Sequence, residues 1–307
     1  TGVSYGMIAP LACGVTTIVD REELDVERWY TLLEQQSVSV WYTAPTALRM
    51  LMKAGFEPVR AHRYAALRFI ASVGEPLNPE AVQWGVDAFG LPVHDTWWQT
   101  ETGAIMISNF NAETVYPGSM GLPFPGVDIQ LGVRREDGSV EVVTEPDRTG
   151  EILLRPGWPS MFKAYLHNEQ RYRESFAGGW YLSGDQARRD ANGYFWFIGR
   201  SDDIIKSAGH LISPFEVECA LNQHAAVMQS AVIGLPDPVW GERVHAVVVP
   251  HDGAAADADE IVAWCRDRIA GYKRPKSVSV IGEAEMPRTA TGKILHRMLR
   301  SRYSEPS

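Results

Sequence analysis

The sequence predicts an α/β protein with a β-rich subdomain and a small α+β unit at its C-terminal end. Three observations carry this expectation. Up to about residue 115, helical spacing alternates with short strands rich in branched and aromatic residues. From Ser119 to Phe197, short strands are broken by frequent Gly and Pro. After Gly199-Arg200-Ser201-Asp202, helix and strand patterns return in a compact run. Helices that alternate with strands imply a parallel sheet joined by crossover helices.

The elements follow in order. Met7 to Asp20 alternates small and apolar residues, as a buried helix and strand would, with Val15-Thr16-Thr17-Ile18-Val19 as the strand. Val26 to Glu34 has helical spacing, and Val38 to Tyr42 is a second strand. A helix is expected over Thr46 to Ala54 and a strand over Leu67 to Ser72. In the β-rich part, Val127 to Leu131 and Gly150 to Leu154 are strands, with turns at Asp137-Gly138 and Asn192-Gly193. The last unit has helices near Glu216 to His224 and Ala258 to Ala270. Its strands lie near Ala231 to Ile233 and His245 to Pro250. A boundary at Asp202 divides a larger domain, 1–201, from a smaller one, 203–307.

Composition narrows the function. The chain has 307 residues, 45% of them hydrophobic and 22% charged, as globular proteins of about two domains do. A net charge of -9 repels nucleic acid and anionic membranes, so neither is expected as a partner. An anionic substrate would need a local cradle of backbone N–H groups and a few cations. Cys13, Cys219 and Cys265 lie far apart without metal-ligand spacing. They read as free thiols of a reducing compartment, the cytoplasm. No apolar run approaches a membrane span and no signal peptide is visible. The chain opens at Thr1-Gly2 without Met and reads as the middle of a domain, so a fragment is expected.

Five segments carry candidate chemistry. In Asp95-Thr96-Trp97-Trp98-Gln99-Thr100-Glu101-Thr102-Gly103, a strand runs into a polar turn, where open α/β sheets commonly bind ligands. Thr100 can bond a phosphate oxygen, and Glu101 offers Mg²⁺ a hard oxygen. Ser72-Val73-Gly74-Glu75-Pro76-Leu77 is a strand end and turn, which turn chemistry alone explains. Trp180 to Asp185 and Gly193 to Asp203 form the third segment, with Asp185 and Arg200 as its charged groups. Lys206-Ser207-Ala208-Gly209-His210-Leu211-Ile212 is the fourth, and Pro287 to Arg297, in which Thr291-Gly292-Lys293 opens a basic helix, is the fifth. Taken alone, each of the last two is an ordinary turn or a solvated lysine.

Together the five change the reading. Thr96 to Gly103 resembles the signature of the acetyl-CoA synthetases within the adenylate-forming (ANL) superfamily. The other four motifs occur in that family's order, and the resemblance covers the whole chain as a C-terminal portion of such enzymes. It implies ATP-dependent joining of acetate or propionate to coenzyme A through an acyl-adenylate. Gly74, Glu75 and Pro76 would lie along adenine, and Thr96, Trp97, Gln99 and Thr100 would contact ATP or AMP. Trp98 would close an acyl pocket walled by Thr1 and Val73. Asp185 and Arg200 would meet the ribose, Asp202 would be the hinge of a mobile C-terminal domain, and Gly209 with His210 would line the CoA tunnel. Lys293 would be the catalytic lysine, and its acetylation by a protein acetyltransferase would be an off switch. The implied cofactors and substrates are ATP, Mg²⁺ and CoA.

Two departures stand out. Leu211 occupies a position where Arg is common in the family, and the Ser/Thr/Gly-rich phosphate loop is not found between Thr1 and Ser307. Such a loop would belong to an N-terminal half. The departures keep two alternatives open: a related acyl-CoA synthetase or adenylation domain for other acids, and a non-catalytic split subunit.

Overall fold

The computed structural model describes residues 2–22, 24–251, 253–289 and 294–304. Two expected site residues, Thr1 and Lys293, lie outside the described residues. The chain divides into two compact units. One runs as far as Ser183 and includes Ala187–Phe197; the other comprises Gly184–Gln186 and Ile198–Ser307.

In the first unit, a π-helical turn, Ser4–Ile8, leads into α1 (Ala9–Cys13), which stops at Gly14 with a left-handed φ of 64°. Helix α2 (Val26–Gln35) begins where the Asp25 carboxylate accepts the Arg28 N–H at 2.8 Å, and it turns Tyr30 and Leu33 inward. Strand β1 (Val40–Thr43) is followed by α3 (Pro45–Lys53) and α4 (Phe56–Arg60). Then come β2 (Phe69–Ser72), α5 (Pro79–Phe89) and β3 (Val93–Trp97). Pro at the start of α3 and α5 suits the first helical turn, where an N–H would go unbonded. β1, β2 and β3 are parallel, with Thr43 beside Ser72 and Ser72 beside Asp95. β4 (Ile107–Ser108) and β5 (Leu122–Pro123) extend the sheet antiparallel, in the order β1-β2-β3-β4-β5. Gly85 lets α5 settle on the sheet: a Cβ there would sit 2.7 Å from the Leu91 carbonyl oxygen and 2.8 Å from Val93. The core beneath holds Tyr30, Leu48, Leu51, Ile70, Val82 and Trp84.

One expectation fails here. Val15–Val19 is not a strand, and Met7 to Asp20 is not buried; Leu11 is 78% and Val19 72% exposed. A strand needs a ladder for its N–H and C=O groups. β1 ends the sheet's strand order beside β2 alone, and among the described residues no strand pairs with Val15–Val19.

The β-rich part contains β6 (Ile129–Arg134), β7 (Val140–Val143) and β8 (Thr149–Leu154). After α6 (Glu169–Glu174) come β9 (Phe176–Ala177), β10 (Trp180–Arg189) and β11 (Phe195–Arg200). The sheet order is β11-β10-β8-β6-β7, with β9 on β10. Ile152, Leu154, Tyr181 and Phe195 share one core with Trp97 and Ile107, which joins this sheet to the end of β3.

In the second unit, β12 (Ile205–Ser207) and β13 (His210–Ile212) form a hairpin. Its turn residues Ala208 and Gly209 have φ of 48° and 80°, the handedness two-residue hairpins favour. Helix α7 (Pro214–Asn222) precedes the long antiparallel pair β14 (Val227–Asp237) and β15 (Gly241–Pro250). α8 (Ala258–Trp264), β16 (Ser277–Val280) and α9 (His296–Ser304) complete it. α8 is shorter than its pattern suggested, because its end tightens into a 3₁₀ turn at Cys265–Asp267. The sheet is covered on both faces. Val232, Ala246 and Val248 pack with Val217, Leu221 and Ile261. Ala231, Ile233, Val247 and Val249 pack with Leu299 of α9. Among the described residues, no helix is long and apolar enough to cross a membrane.

Candidate active site

The C-terminal ends of three parallel strands meet at one hydroxyl. The Thr96 hydroxyl donates to the Ser72 carbonyl at 2.6 Å and lies 2.8 Å from the Tyr42 hydroxyl, which is then the donor to it. Burial pushes the Tyr42 phenol up to about 12, so it keeps the proton this bond requires. Asp95, just before, is buried, and its carboxylate accepts the Thr96 N–H at 2.9 Å. Burial raises its pKa to about 7, against the pull of the Thr96 and Leu77 amides. The Leu77 amide belongs to the loop after β2, so Asp95 joins two of the predicted segments. His94 is no free base: burial holds its pKa down, and Nδ1 lies 2.9 Å from the Asn109 carbonyl.

The loop after β2 is pinned on its other side. Gly74 takes a φ of 94°, a left-handed value that favours glycine. Val73 is buried and donates its N–H to the Thr43 carbonyl at 3.0 Å. Glu75 accepts from the Thr46 hydroxyl and from Arg49 Nη2, both at 2.8 Å. Pro76 is half-buried behind it.

β3 delivers the aromatic pair to opposite sides. Trp97 is buried in the core, whereas Trp98 is half-buried beside Tyr5, with ring centroids 5.3 Å apart and planes at 80°. Gln99 is clamped: Nε2 donates to the Ser183 carbonyl and Oε1 accepts from the Tyr181 hydroxyl, each at 2.8 Å. Thr102 closes the turn by accepting the Gln99 N–H at 2.9 Å. At Gly103, φ is 68° and a Cβ would lie 2.4 Å from the Ser160 carbonyl oxygen. Thr100 is exposed at the tip, and Glu101 accepts the Tyr165 hydroxyl at 2.8 Å on Oε1.

Two further groups of predicted residues belong to the second unit. Asp185 is buried, and Arg200 Nη1 lies 3.3 Å from its Oδ1. Arg200 Nε is 3.5 Å from Asp202 Oδ1, and Arg300 Nη1 donates to the Asp202 carbonyl at 3.1 Å. Burial pulls the Arg200 pKa down, but the carboxylates of Asp185 and Asp202 more than offset it and the net shift is upward. Gly209 has open space where a Cβ would go, and His210 stacks on Tyr272 at 4.1 Å. Leu211 is exposed.

Sequence reasoning missed Tyr5, Tyr42, Thr46 and Arg49. Tyr42 and Thr46 flank the end of a predicted strand, where sheet ligands bind, and that position could have flagged them. Tyr5 had no such signal, since its hydroxyl accepts the N–H of Ile105, 100 residues away.

The acetyl-coenzyme A synthetase of Bacillus subtilis (strain 168) is 41% identical over 305 residues, covering 98% of this chain and 52% of that protein. An anthranilate CoA ligase solved with anthranoyl-AMP superposes with a TM-score of 0.85 at 30% identity, over 99% of this chain and 57% of that one. A benzoate CoA ligase from Burkholderia xenovorans LB400 superposes with a TM-score of 0.83 at 33% identity, over 97% of this chain and 58% of that one. The chain spans about half the length of the curated relatives it matches. Residues 1–166 match the AMP-binding enzyme family and residues 216–293 match its C-terminal domain. With more than half of its length in the first match alone, the chain belongs to the AMP-binding enzymes.

Proposed function

We propose that this chain serves an enzyme that joins acetate, or propionate, to coenzyme A through an acyl-adenylate. The fold alone does not choose the acid, because its structural neighbours are ligases of benzoate and anthranilate as well. The observation that carries the choice is Trp98, an indole braced edge-on at the end of β3 beside the clamped Gln99. A large ring there leaves volume for a short acyl chain only.

In the first step a carboxylate oxygen attacks the α-phosphorus of ATP and pyrophosphate leaves. In the second, the CoA thiolate attacks the acyl carbonyl and AMP leaves. The protein supplies position and charge. Gly74, Glu75 and Pro76 would offer adenine a flat, pinned loop. Thr96 and Gln99 are held by their own bonds, so Trp97 to Thr100 meet the nucleotide with little to reorganise. Asp185 would accept the ribose hydroxyls with Arg200 at its side. Val73 and Thr1 would complete the acyl pocket, and Gly209 with His210 would border the CoA thiol's path. Lys293 would bridge carboxylate and α-phosphate, and acetylation would remove the charge it needs. Asp202 would be the point about which residues 203–307 turn between the steps.

Magnesium fits this donor set in one way. Among the described residues, no three His, Cys, Asp or Glu side chains could enclose a metal ion. Mg²⁺ usually takes one or two carboxylates and completes its shell with phosphates and water, so Glu101 would be its ligand from this chain. The ion would neutralise charge on the phosphates. Cys13 and Cys265 are free thiols, which suits a reducing compartment and supports a cytoplasmic setting.

The test is the full-length protein with Mg²⁺, ATP, CoA and a series of acids from acetate to hexanoate, plus benzoate. Acetate-dependent pyrophosphate release and acyl-CoA formation should lead the series, with propionate second. A benzoate or hexanoate optimum would remove acetate from the reading.

A further inference from the structure

We propose that Tyr5 positions the Trp98 indole and is thereby a determinant of acyl selectivity; this rests on the acyl-pocket reading of Trp98. Three observations converge on Tyr5. Its ring meets Trp98 edge-on at 5.3 Å and 80°, and it meets Tyr42, from the end of β1, at 5.5 Å and 85°. Its hydroxyl accepts the Ile105 N–H at 2.7 Å, tying the ring to the chain just beyond the Gln99–Gly103 turn. Its neighbours Val3, Met7 and Ile8 are 64%, 56% and 60% exposed, while Tyr5 itself is half-buried. Ser4 and Gly6 are half-buried with it, and Tyr5 is the residue of this turn whose ring engages the strand ends.

The physical consequence is a restricted rotamer. A half-buried Trp beside a turn has more than one staggered χ1 open to it. Tyr5 fills the space on one side, and Tyr42 backs Tyr5 while its hydroxyl bonds to Thr96. The indole is therefore braced by a ring that is not itself one of the proposed pocket residues Thr1, Val73 and Trp98. Removing that ring lets Trp98 swing and admits longer acids without altering the nucleotide contacts.

The experiment uses the full-length protein with Tyr5→Leu, Tyr5→Phe and Trp98→Gly, and reads kcat/KM for acetate and butyrate together with KM for ATP. Tyr5→Leu should lower the acetate-over-butyrate ratio about tenfold, the scale of one methylene in an apolar pocket, with KM for ATP unchanged. Tyr5→Phe keeps the ring and should keep the ratio. If Tyr5→Leu does not fold, Tyr5→His, a smaller ring on the same backbone, should show the same loss of selectivity. An unchanged ratio in Tyr5→Leu and Tyr5→His, or equal loss on both acids, overturns the inference when Trp98→Gly still relaxes selectivity. An unchanged ratio in Trp98→Gly as well would take down the acyl-pocket reading itself.

Discussion

Two apolar stretches of this chain meet opposite fates. In β14 and β15, Val232, Ala246, Val247 and Val248 have no exposure at all, because α7 and α8 cover one face of the sheet and α9 the other. Between Val3 and Val19, residues of the same type stand in solvent, with Val3 at 64%, Leu11 at 78% and Ile18 at 44%. Hydrophobic sequence is a demand for a partner surface, and of these two stretches only the β14–β15 pair meets that demand within the described residues. The candidate site shows a parallel contrast. The first-unit residues Thr96, Gln99 and Glu75 are each fixed by bonds from other segments, whereas Gly209 sits on a hairpin turn with open space around it.

The largest expected effect separates the chemistry of the two units. If the second unit serves adenylation through Lys293 alone, Lys293→Ala in the full-length protein should cut acetate-dependent pyrophosphate exchange at least about 100-fold, the scale of losing one preorganised charge stabiliser. CoA transfer from supplied acetyl-adenylate should persist. Equal loss of both half-reactions would contradict that division of labour.

Packing comes next. Leu299→Ala removes a side chain with no exposure and should cost about 2–5 kcal/mol, by lost transfer energy and the cavity left behind. Leu11→Ala should stay within about 0.5 kcal/mol, as surface changes usually do. Hydrogen exchange at the β14 and β15 amides reads the first, and denaturant midpoints of the chain read both. A Leu11→Ala loss as large as that of Leu299→Ala would mean that Leu11 is buried in solution.

Two glycines sharpen the contrast at the site. Both have a positive φ, which costs an alanine roughly 1–2 kcal/mol wherever it stands. At Gly103 the new Cβ would also meet the Ser160 carbonyl at 2.4 Å, and such crowding adds about 1–3 kcal/mol. At Gly209 nothing lies within 4 Å. Gly103→Ala should therefore lower the melting temperature clearly more than Gly209→Ala. The reverse order would show that the hairpin turn is packed and the Gln99 turn is not.

Much of this was legible in the sequence, for identifiable reasons. The parallel α/β core announced itself because α2 and α3 carry their apolar residues at helical spacing between short strands, although α5 was not anticipated. The turn after β3 was legible because Thr, Glu and Gly follow an aromatic strand. What stayed hidden is tertiary. Arg49 bonds Glu75 across 26 residues, and Tyr5 reaches Ile105 across 100, with no local pattern to mark either pair. Val15–Val19 was misread for the same reason: its β propensity was real, and its ladder partner was assumed.

Titration offers the smallest but most discriminating comparison, because a histidine in each unit responds to pH with opposite sign. In the first unit, His62 joins α2 to the chain after α4, with Nδ1 2.8 Å from Glu34 and Nε2 2.9 Å from Glu27. The bond to Glu34 raises its pKa, ahead of the opposing effect of burial. A raised folded pKa means that this clamp is fully present below the unfolded value of about 6.5 and is lost as pH rises through the folded one. Glu34 is shifted down by the same bond, so the clamp weakens again only in acid. In the second unit, His245 is buried with Nδ1 2.7 Å from the Ser277 hydroxyl. Burial lowers its pKa to about 4, and the nearby Arg243 adds to the shift. Here the unfolded chain binds the proton first, so stability is full above about 6.5 and falls as pH drops toward 4. Neither slope can exceed about 1.4 kcal/mol per pH unit for a single proton. Exchange of the Arg63 amide and of the Ala246 to Val248 amides, corrected for intrinsic rates, should be followed from pH 8 to 5. Protection should rise at Arg63 and decline in β15 as the pH falls. His62→Gln should flatten the first response and leave the second. Two responses of the same sign would mean that one of these imidazoles is not in the surroundings described.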